Sequence, residues 1–295
     1  MHDAIIIGGS FAGLSAAMYL ARGRHDVVVL DTGTPRNRFS PRSHGFFTHD
    51  GSTPAAMLAT AREQLKPYET VGLIEGEAVE ATGARDGFSV MLASGEALEG
   101  RRLVLASGVR DILPPIAGLA ERWGTSVLHC PYCHGYEYAG RRLGVLYAGP
   151  GSLHHARLIA NWGPTTLLTN GVEPEGAESL AAFGITLEAA PIAMLLGPKA
   201  SLTHVEMASG WDLPMDALYV APVIELRSQV ANGLGCAMQK TPAGQILAVD
   251  ERMMTSVPGV YAAGDIAAFP SMVARAVADG SLVGAMVSQS LIFDI

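Results

Sequence analysis

The sequence predicts an α/β protein with two Rossmann-like nucleotide-binding units, and three observations carry that expectation. An apolar strand, Asp3-Ala4-Ile5-Ile6-Ile7, runs into the glycine turn Gly8-Gly9-Ser10-Phe11-Ala12-Gly13 and then a helical stretch from Leu14 to Ala21. The same order recurs at Arg142 to Ala148, Gly149-Pro150-Gly151 and Ser152 to Trp162. Each helix is followed by a second apolar strand, Asp26 to Asp31 and Thr165 to Thr169. Runs without polar alternation are what parallel strands buried on both faces require.

Composition bounds the rest. With 295 residues, 49% of them hydrophobic, the chain can bury a large core and should form about two domains. Its 34 glycines suit tight strand-to-helix turns and close backbone approach to a ligand. A net charge of −8 argues against nucleic acid or an anionic membrane as partner, because both need concentrated Lys and Arg. The one basic cluster, Arg36 to Arg42, is short. The apolar run Ala4 to Ile7 ends at once in glycines, with neither a charged leader nor a cleavage site, so no signal peptide is expected. No stretch approaches 18 uninterrupted apolar residues, so no membrane span is expected either. Three cysteines without an export signal predict a reducing, cytoplasmic location.

Taken in order, the first glycine turn has a specific physical reading. Gly8 permits the tight turn, Gly13 lets helix and strand pack closely, and the helix N-terminus offers N–H groups to a pyrophosphate. Ser10 stands where a second glycine usually allows close phosphate approach. Asp31, at the end of the second strand and about 20 residues on, is placed to bind ribose hydroxyls. Pro35 to Thr53 is an irregular polar stretch with Arg36, Asn37, Arg38, His44, His49 and Asp50, and loops of this length often line a site. Thr53-Pro54 reads as an N-cap and first helical position, opening a helix to about Lys66. Gly72 to Ile74, Glu77 to Glu80 and Gly87 to Leu92 read as a small antiparallel unit, and Arg102 to Ala106 as a buried strand ending in Ser107-Gly108.

After the Pro114-Pro115 break and the second strand–turn–helix unit, further strands are expected around Ile185 to Leu187, Leu202 to Met207 and Ala217 to Ala221. Pro222 to Arg227 marks a return. Ile246 to Asp250 is a strand, and Thr255 to Ala263 runs into Gly264-Asp265 before a helix from about Ser271 to Ser290. An Asp held at a strand end by a glycine can hydrogen-bond the ribityl chain of a flavin.

Between the two units lies His129-Cys130-Pro131-Tyr132-Cys133-His134. The letters alone permit a redox disulfide, half of a zinc site, or covalent haem attachment through CxxCH. Cys236 is the only other cysteine and is expected to be a small buried residue.

With these pieces assembled, the chain resembles the two-domain FAD-dependent thioredoxin reductase family over nearly its full length. The resemblance rests on the Gly8 to Gly13 turn with Asp31, on Cys130-x-x-Cys133 at the start of the central segment, and on Thr255 to Asp265. It implies a three-layer ββα/α/β arrangement with the second unit inserted into the first. Residues 1–112 and 228–295 would then form a discontinuous FAD-binding domain, and 113–227 an NAD(P)H-domain-like unit carrying the cysteines. It further implies a homodimer, and FAD contacts from Gly8, Gly9, Ser10, Phe11, Ala12, Gly13, Asp31, Arg36, His44, Asp50, Val79, Ser107, Gly108, Gly264, Asp265 and Ala274. Cys130 to Gly135 is similar to the Cys-Pro-Tyr-Cys-His-Gly motif of one branch, the dithiol oxidases of epidithiodioxopiperazine and dithiolopyrrolone biosynthesis, such as the gliotoxin and holomycin oxidases.

By that resemblance Cys133 faces the flavin and Cys130 exchanges with substrate. His134, where thioredoxin reductases carry an acid, serves as general acid/base. Zinc lacks a second pair of soft ligands, no metal site is expected, and in a flavin-type fold the haem match is a chance one. His129 shares the acid/base role or sits in a solvent-facing loop, and His154 and His155 point about 100° apart on a helix.

The second glycine turn departs from the family. His154 takes the place of a small residue, and Thr169 to Glu175 contains no arginine and two glutamates where a 2′-phosphate would need a cation. NADPH use is therefore not expected; NADH stays open, although the strand lacks a terminal acid. The resulting expectation is oxidation of a dithiol to a disulfide through Cys130–Cys133 and flavin, with molecular oxygen as acceptor. The partner is a small-molecule dithiol or a thioredoxin-like protein. One alternative is an NAD(P)H-dependent thioredoxin-disulfide reductase; another, of a different class, is a flavin-binding regulatory protein without efficient turnover.

Overall fold

The computed structural model describes residues 1–294, so position 295 of the expected FAD domain lies outside the described residues. The chain forms two compact units: Met1–Arg38, Ala55–Arg110 and Ile224–Ile295 in the first, Phe39–Pro54 and Asp111–Val223 in the second.

The first unit opens with β1 (His2–Ile7), α1 (Phe11–Arg22), β2 (Val27–Asp31), α2 (Pro54–Leu65) and β3 (Val71–Glu75), followed by β4 (Ala78–Ala84), β5 (Gly87–Leu92) and β6 (Ala97–Leu105). Their sheet has the order β3-β2-β1-β6-β5-β4. β1 shows why its residues are all apolar. Ala4 and Ile6 pack with α1, α2 and the last helix on one face, while Ile5 and Ile7 pack with a β layer on the other. Gly72 to Ile74 do not belong to the expected antiparallel unit; they lie in β3, which pairs in parallel with β2. The physical reason is α2, because a helical crossover between adjacent strands delivers the second strand parallel to the first. The antiparallel unit consists of β4, β5 and the first half of β6.

The chain then passes through β7 (Val109–Ile112) to the second unit: β8 (Val127–Leu128), α3 (Pro131–His134), β9 (Leu143–Leu146), α4 (Gly151–Ile159), β10 (Thr165–Leu168) and β11 (Thr186–Glu188). Three antiparallel strands follow, β12 (Ile192–Leu196), β13 (His204–Met207) and β14 (Asp212–Pro214), and then β15 (Ala217–Tyr219). The central sheet, β11-β10-β9-β15-β8, is parallel. One face packs on the antiparallel layer through Leu195, Val205 and Met207, the other on α4 through Ala156 and Ile159. β12 and β14 escaped the sequence reading because neither alternates clearly, and Gly197-Pro198 and Pro214 read as loop.

The return comprises β16 (Val223–Leu226), α5 (Val230–Gly233), β17 (Met238–Thr241), β18 (Gly244–Leu247), β19 (Val260–Ala262) and α6 (Val273–Phe293). β19 joins the first sheet beside β6, parallel to its second half, and closes the same edge that β5 occupies lower down. The fold is thus α/β with two Rossmann-like units. By length and composition α6 alone among the described helices could cross a membrane. In the structure it lies along α1: a Cβ on Gly280 would stand 2.1 Å from the Ala12 carbonyl oxygen, and one on Gly284 would stand 2.7 Å from that of Ala16. The hydroxyl of Ser15 adds a hydrogen bond to the Val277 carbonyl at 2.7 Å.

The far end of α6 is held by Arg102, whose side chain is fully buried. Its Nε donates to Ser290 Oγ at 2.6 Å, Nη2 to the Ser290 carbonyl at 3.1 Å and Nη1 to Asp86 Oδ1 at 2.6 Å. Arg102→Leu is expected to lower stability by about 2 kcal/mol, because it strands the buried Ser290 hydroxyl and carbonyl without a donor, while Asp86 keeps Arg101. A fall in the urea midpoint at unchanged m-value is the check.

Candidate active site

Within the first unit the glycine turn meets its surroundings with no room for side chains. A Cβ on Gly8, whose φ is +115°, would sit 2.3 Å from the Ala106 carbonyl oxygen and 2.8 Å from Ser107 N. One on Gly9 would sit 2.6 Å from Asp31 Cβ, and one on Gly13 only 1.8 Å from the Gly8 carbonyl oxygen. Ser10 is the N-cap of α1 without a side-chain cap bond, and the first turn, from Phe11, carries no acid. The N–H groups there are therefore left for an anion.

Gly264, with φ +77°, reaches the same place: its Cβ would be 2.9 Å from Ala12 Cβ and 3.6 Å from Ala276 Cβ. Asp265 Oδ2 accepts a hydrogen bond from Arg36 Nη1 at 2.8 Å, and the same nitrogen donates to Ser271 Oγ at 2.8 Å. Ala274 lies in the first turn of α6. Gly108 follows Ser107 with φ +69°, and Val79 sits at a bulge between Ala78 and Glu80, where pairing with β5 is interrupted. The structure thus brings Gly8, Gly9, Ala12, Gly13, Asp31, Ser107 and Gly264 together around the start of α1. His44 and Asp50 belong to the second unit.

Arg62 was missed by the sequence reading. Its Nη2 donates to Asp31 Oδ2 at 2.5 Å and to the Gly9 carbonyl at 3.2 Å. No motif marks it; a cation in the last turn of α2 gives no sign that its partner is the acid ending β2. Asp279 was missed too. Burial raises its pKa against the opposing pull of Arg275, whose Nε lies 3.7 Å from Oδ2, and of the Gly264 N–H. This cradle fits FAD: a closely approached turn at a helix N-terminus for the pyrophosphate, and acids at two strand ends for sugar hydroxyls.

In the second unit Cys130 and Cys133 are joined in a disulfide with Cα atoms 5.3 Å apart. Cys130 is the extended N-cap of α3 and Pro131 its first residue, so Cys133 comes round within one turn to face its partner. Tyr132 stacks edge-on to Trp162 with centroids 5.7 Å apart, and a Cβ on Gly135 would come within 2.8 Å of that indole. Among the described residues no group of three or more His, Cys, Asp or Glu is arranged to hold a metal. Cys236 is buried, with its thiol 3.6 Å from Thr255 Oγ1.

His134 follows Cys133 and is mostly buried. Burial lowers its pKa, the charge of Glu137 opposes that, and His44 reinforces it. His129 is half-buried in the bend before Cys130, with its Nδ1 3.2 Å from the Val220 carbonyl oxygen. His155 lies edge-on to Tyr219 with centroids 6.0 Å apart, and burial pushes its pKa down to about 4. That keeps it neutral at pH 7, while His154 is exposed. The second glycine turn retains Gly149 at φ +138°, and Ser152 Oγ accepts from the Ala148 N–H at 2.9 Å.

Residues 2–280 match the model of the pyridine nucleotide-disulphide oxidoreductase family. The thioredoxin reductase tcpT of Claviceps purpurea is 35% identical over 99% of this chain and 95% of its own length. An oxidoreductase from Agrobacterium tumefaciens of known structure is 41% identical, with a TM-score of 0.95 over 100% of this chain and 99% of that one. The HlmI structure is 35% identical, with a TM-score of 0.93 over 99% and 93% respectively. With the flavin cradle and the Cys130–Cys133 disulfide, these likenesses establish that the chain belongs to the pyridine nucleotide-disulphide oxidoreductase family, as a thioredoxin reductase-like, FAD-dependent dithiol/disulfide oxidoreductase.

Proposed function

We propose that the chain oxidises a small-molecule dithiol to its disulfide, with molecular oxygen as the final acceptor. The observation that carries this reading is the Cys130–Cys133 disulfide closed within one helical turn beside a mostly buried histidine. A substrate thiolate attacks Cys130 Sγ and Cys133 leaves as thiolate; the second substrate thiol then closes the product disulfide and releases Cys130. His134 takes and returns the thiol proton, a task its lowered pKa suits because the neutral ring is the proton acceptor at pH 7. FAD, when bound, supplies the two-electron sink that restores the Cys130–Cys133 bond. In this reading Gly8 to Gly13, Asp31, Asp265 and the N-terminus of α6 hold the cofactor, and Arg62 positions Asp31. A cytoplasmic homodimer completes the proposal.

The second glycine turn supports the direction of electron flow, since residues 169–176 contain Glu173 and Glu175 and no cation. Anaerobic holoenzyme should therefore bleach rapidly with dithiothreitol and at most slowly with NADPH or NADH, and peroxide should appear when air is admitted. Rapid bleaching by NADPH, with electrons delivered to a thioredoxin-like protein, would instead make the chain a thioredoxin-disulfide reductase.

A further inference from the structure

Segment 39–54 contributes a histidine that the steps above leave idle. The His44 side chain is mostly buried and stands between two carboxylates, with Nδ1 3.4 Å from Asp50 Oδ1 and Nε2 3.4 Å from Glu137 Oε1. Asp50 is fixed in turn by the Gly45 N–H at 2.8 Å. Glu137 follows α3 three residues after His134, and His44, His134 and Glu137 line one cavity of about 370 Å³. The remaining charged groups around it are Arg42, Arg141 and Asp216, the last tied up bidentately by Arg142 at 2.9 Å. Tyr138 also lines it and donates to the Thr125 carbonyl at 2.9 Å.

We propose that Glu137 is the carboxylate His134 works against when it takes the thiol proton, and that His44, by its contacts with Glu137 and Asp50, holds that carboxylate in check, so that the His44–Glu137 contact tunes proton transfer at His134. Both are positioning residues that work through His134, and the inference rests on the acid/base role given to His134 above. In the step concerned, the substrate S–H proton moves to a ring nitrogen of His134 and the substrate sulfur bonds to Cys130 Sγ. The Cys130–Cys133 bond breaks, and its electron pair stays on Cys133.

The pair makes a prediction of opposite signs. Glu137→Gln removes the group that favours the imidazolium, so His134 stays neutral to lower pH. His44→Gln removes the contact that occupies Glu137 and leaves that carboxylate to His134, so His134 protonates at higher pH. The neutral ring is the active form, and activity is lost as pH falls through its pKa. The acid limb of dithiothreitol bleaching should therefore move to lower pH in Glu137→Gln and to higher pH in His44→Gln. The double variant should match Glu137→Gln, because without the carboxylate His44 has nothing to hold in check, and Asp50→Asn should follow His44→Gln with a smaller shift.

Were the contact merely a strap holding segment 39–54, both single variants would break it alike. Equal losses at every pH, or shifts of the same sign, would overturn the proposal. A histidine-ring NMR titration of the oxidised holoenzyme supplies a readout that needs no substrate. His134 should titrate lowest in Glu137→Gln, next in wild type and highest in His44→Gln, and any other order refutes the pair. If dithiothreitol fails to bleach the wild type, the dithiol reading fails while this titration still decides the inference.

Discussion

Cys133→Ser is expected to abolish flavin bleaching by dithiols, with a rate loss of at least about 10³-fold, the scale seen when a reacting group is removed outright. The reason is stoichiometric before it is geometric. Substrate thiolate needs a sulfur–sulfur bond to open, and serine oxygen cannot form one with Cys130. Cys130→Ser should fail as completely, since neither thiol alone holds two oxidising equivalents. Thiol titration of denatured protein checks that the lesion is the intended one. Oxidised wild type should show one free thiol, from Cys236, and reduced wild type three, whereas either variant shows two in both states. Dithiol oxidation surviving in either variant would remove the disulfide from the mechanism.

Gly13→Ala is the second large effect. Its new Cβ would lie 1.8 Å from the Gly8 carbonyl oxygen, and that backbone is itself pinned because Gly8 abuts the Ala106 carbonyl. Nothing flexible is in the way to move aside, so the helix must shift off the sheet and carry its N–H groups away from the pyrophosphate position. A stability loss of about 3 kcal/mol is expected, together with protein that purifies without yellow colour. Gly151→Ala is the matched control. It stands at the start of α4 with no atom within 4 Å of its Cβ position, and alanine is the better helix former by about 1 kcal/mol. The flavin-to-protein absorbance ratio and the thermal midpoint distinguish the two, and retention of flavin in Gly13→Ala would count against the cradle.

The parallel strands were legible in the sequence because burial on both faces leaves uninterrupted apolar runs, as in Ile5 to Ile7 and Val27 to Leu30. The glycine turns were legible because φ +115° at Gly8 and the contact at Gly13 exclude every other residue. β3 was misassigned because five residues carry no mark of strand direction; only the preceding crossover does. The CxxC helix could be located, but the charges around it could not. Glu137 is three residues from His134 and so within reach of a helical turn, whereas His44 comes from 90 positions earlier through a segment without periodicity. Arg62 illustrates the same limit, since its contact with Asp31 depends on how α2 is laid against the sheet.

The grouping of Phe39–Pro54 with the second unit bears on how this protein can be dissected. A fragment cut at the obvious boundaries, from Asp111 to Val223, would include the cysteines but not the segment that meets Gly124 and Glu137. A Cβ on Gly124 would stand 2.7 Å from Phe39 Cβ, so the fragment would bare a surface shaped to fit a missing neighbour. It would also leave Glu137 without its contact to His44. Recombinant versions of the second unit therefore need residues 39–54 supplied, by fusion or as a peptide added in trans, before their thiol chemistry represents that of the whole chain.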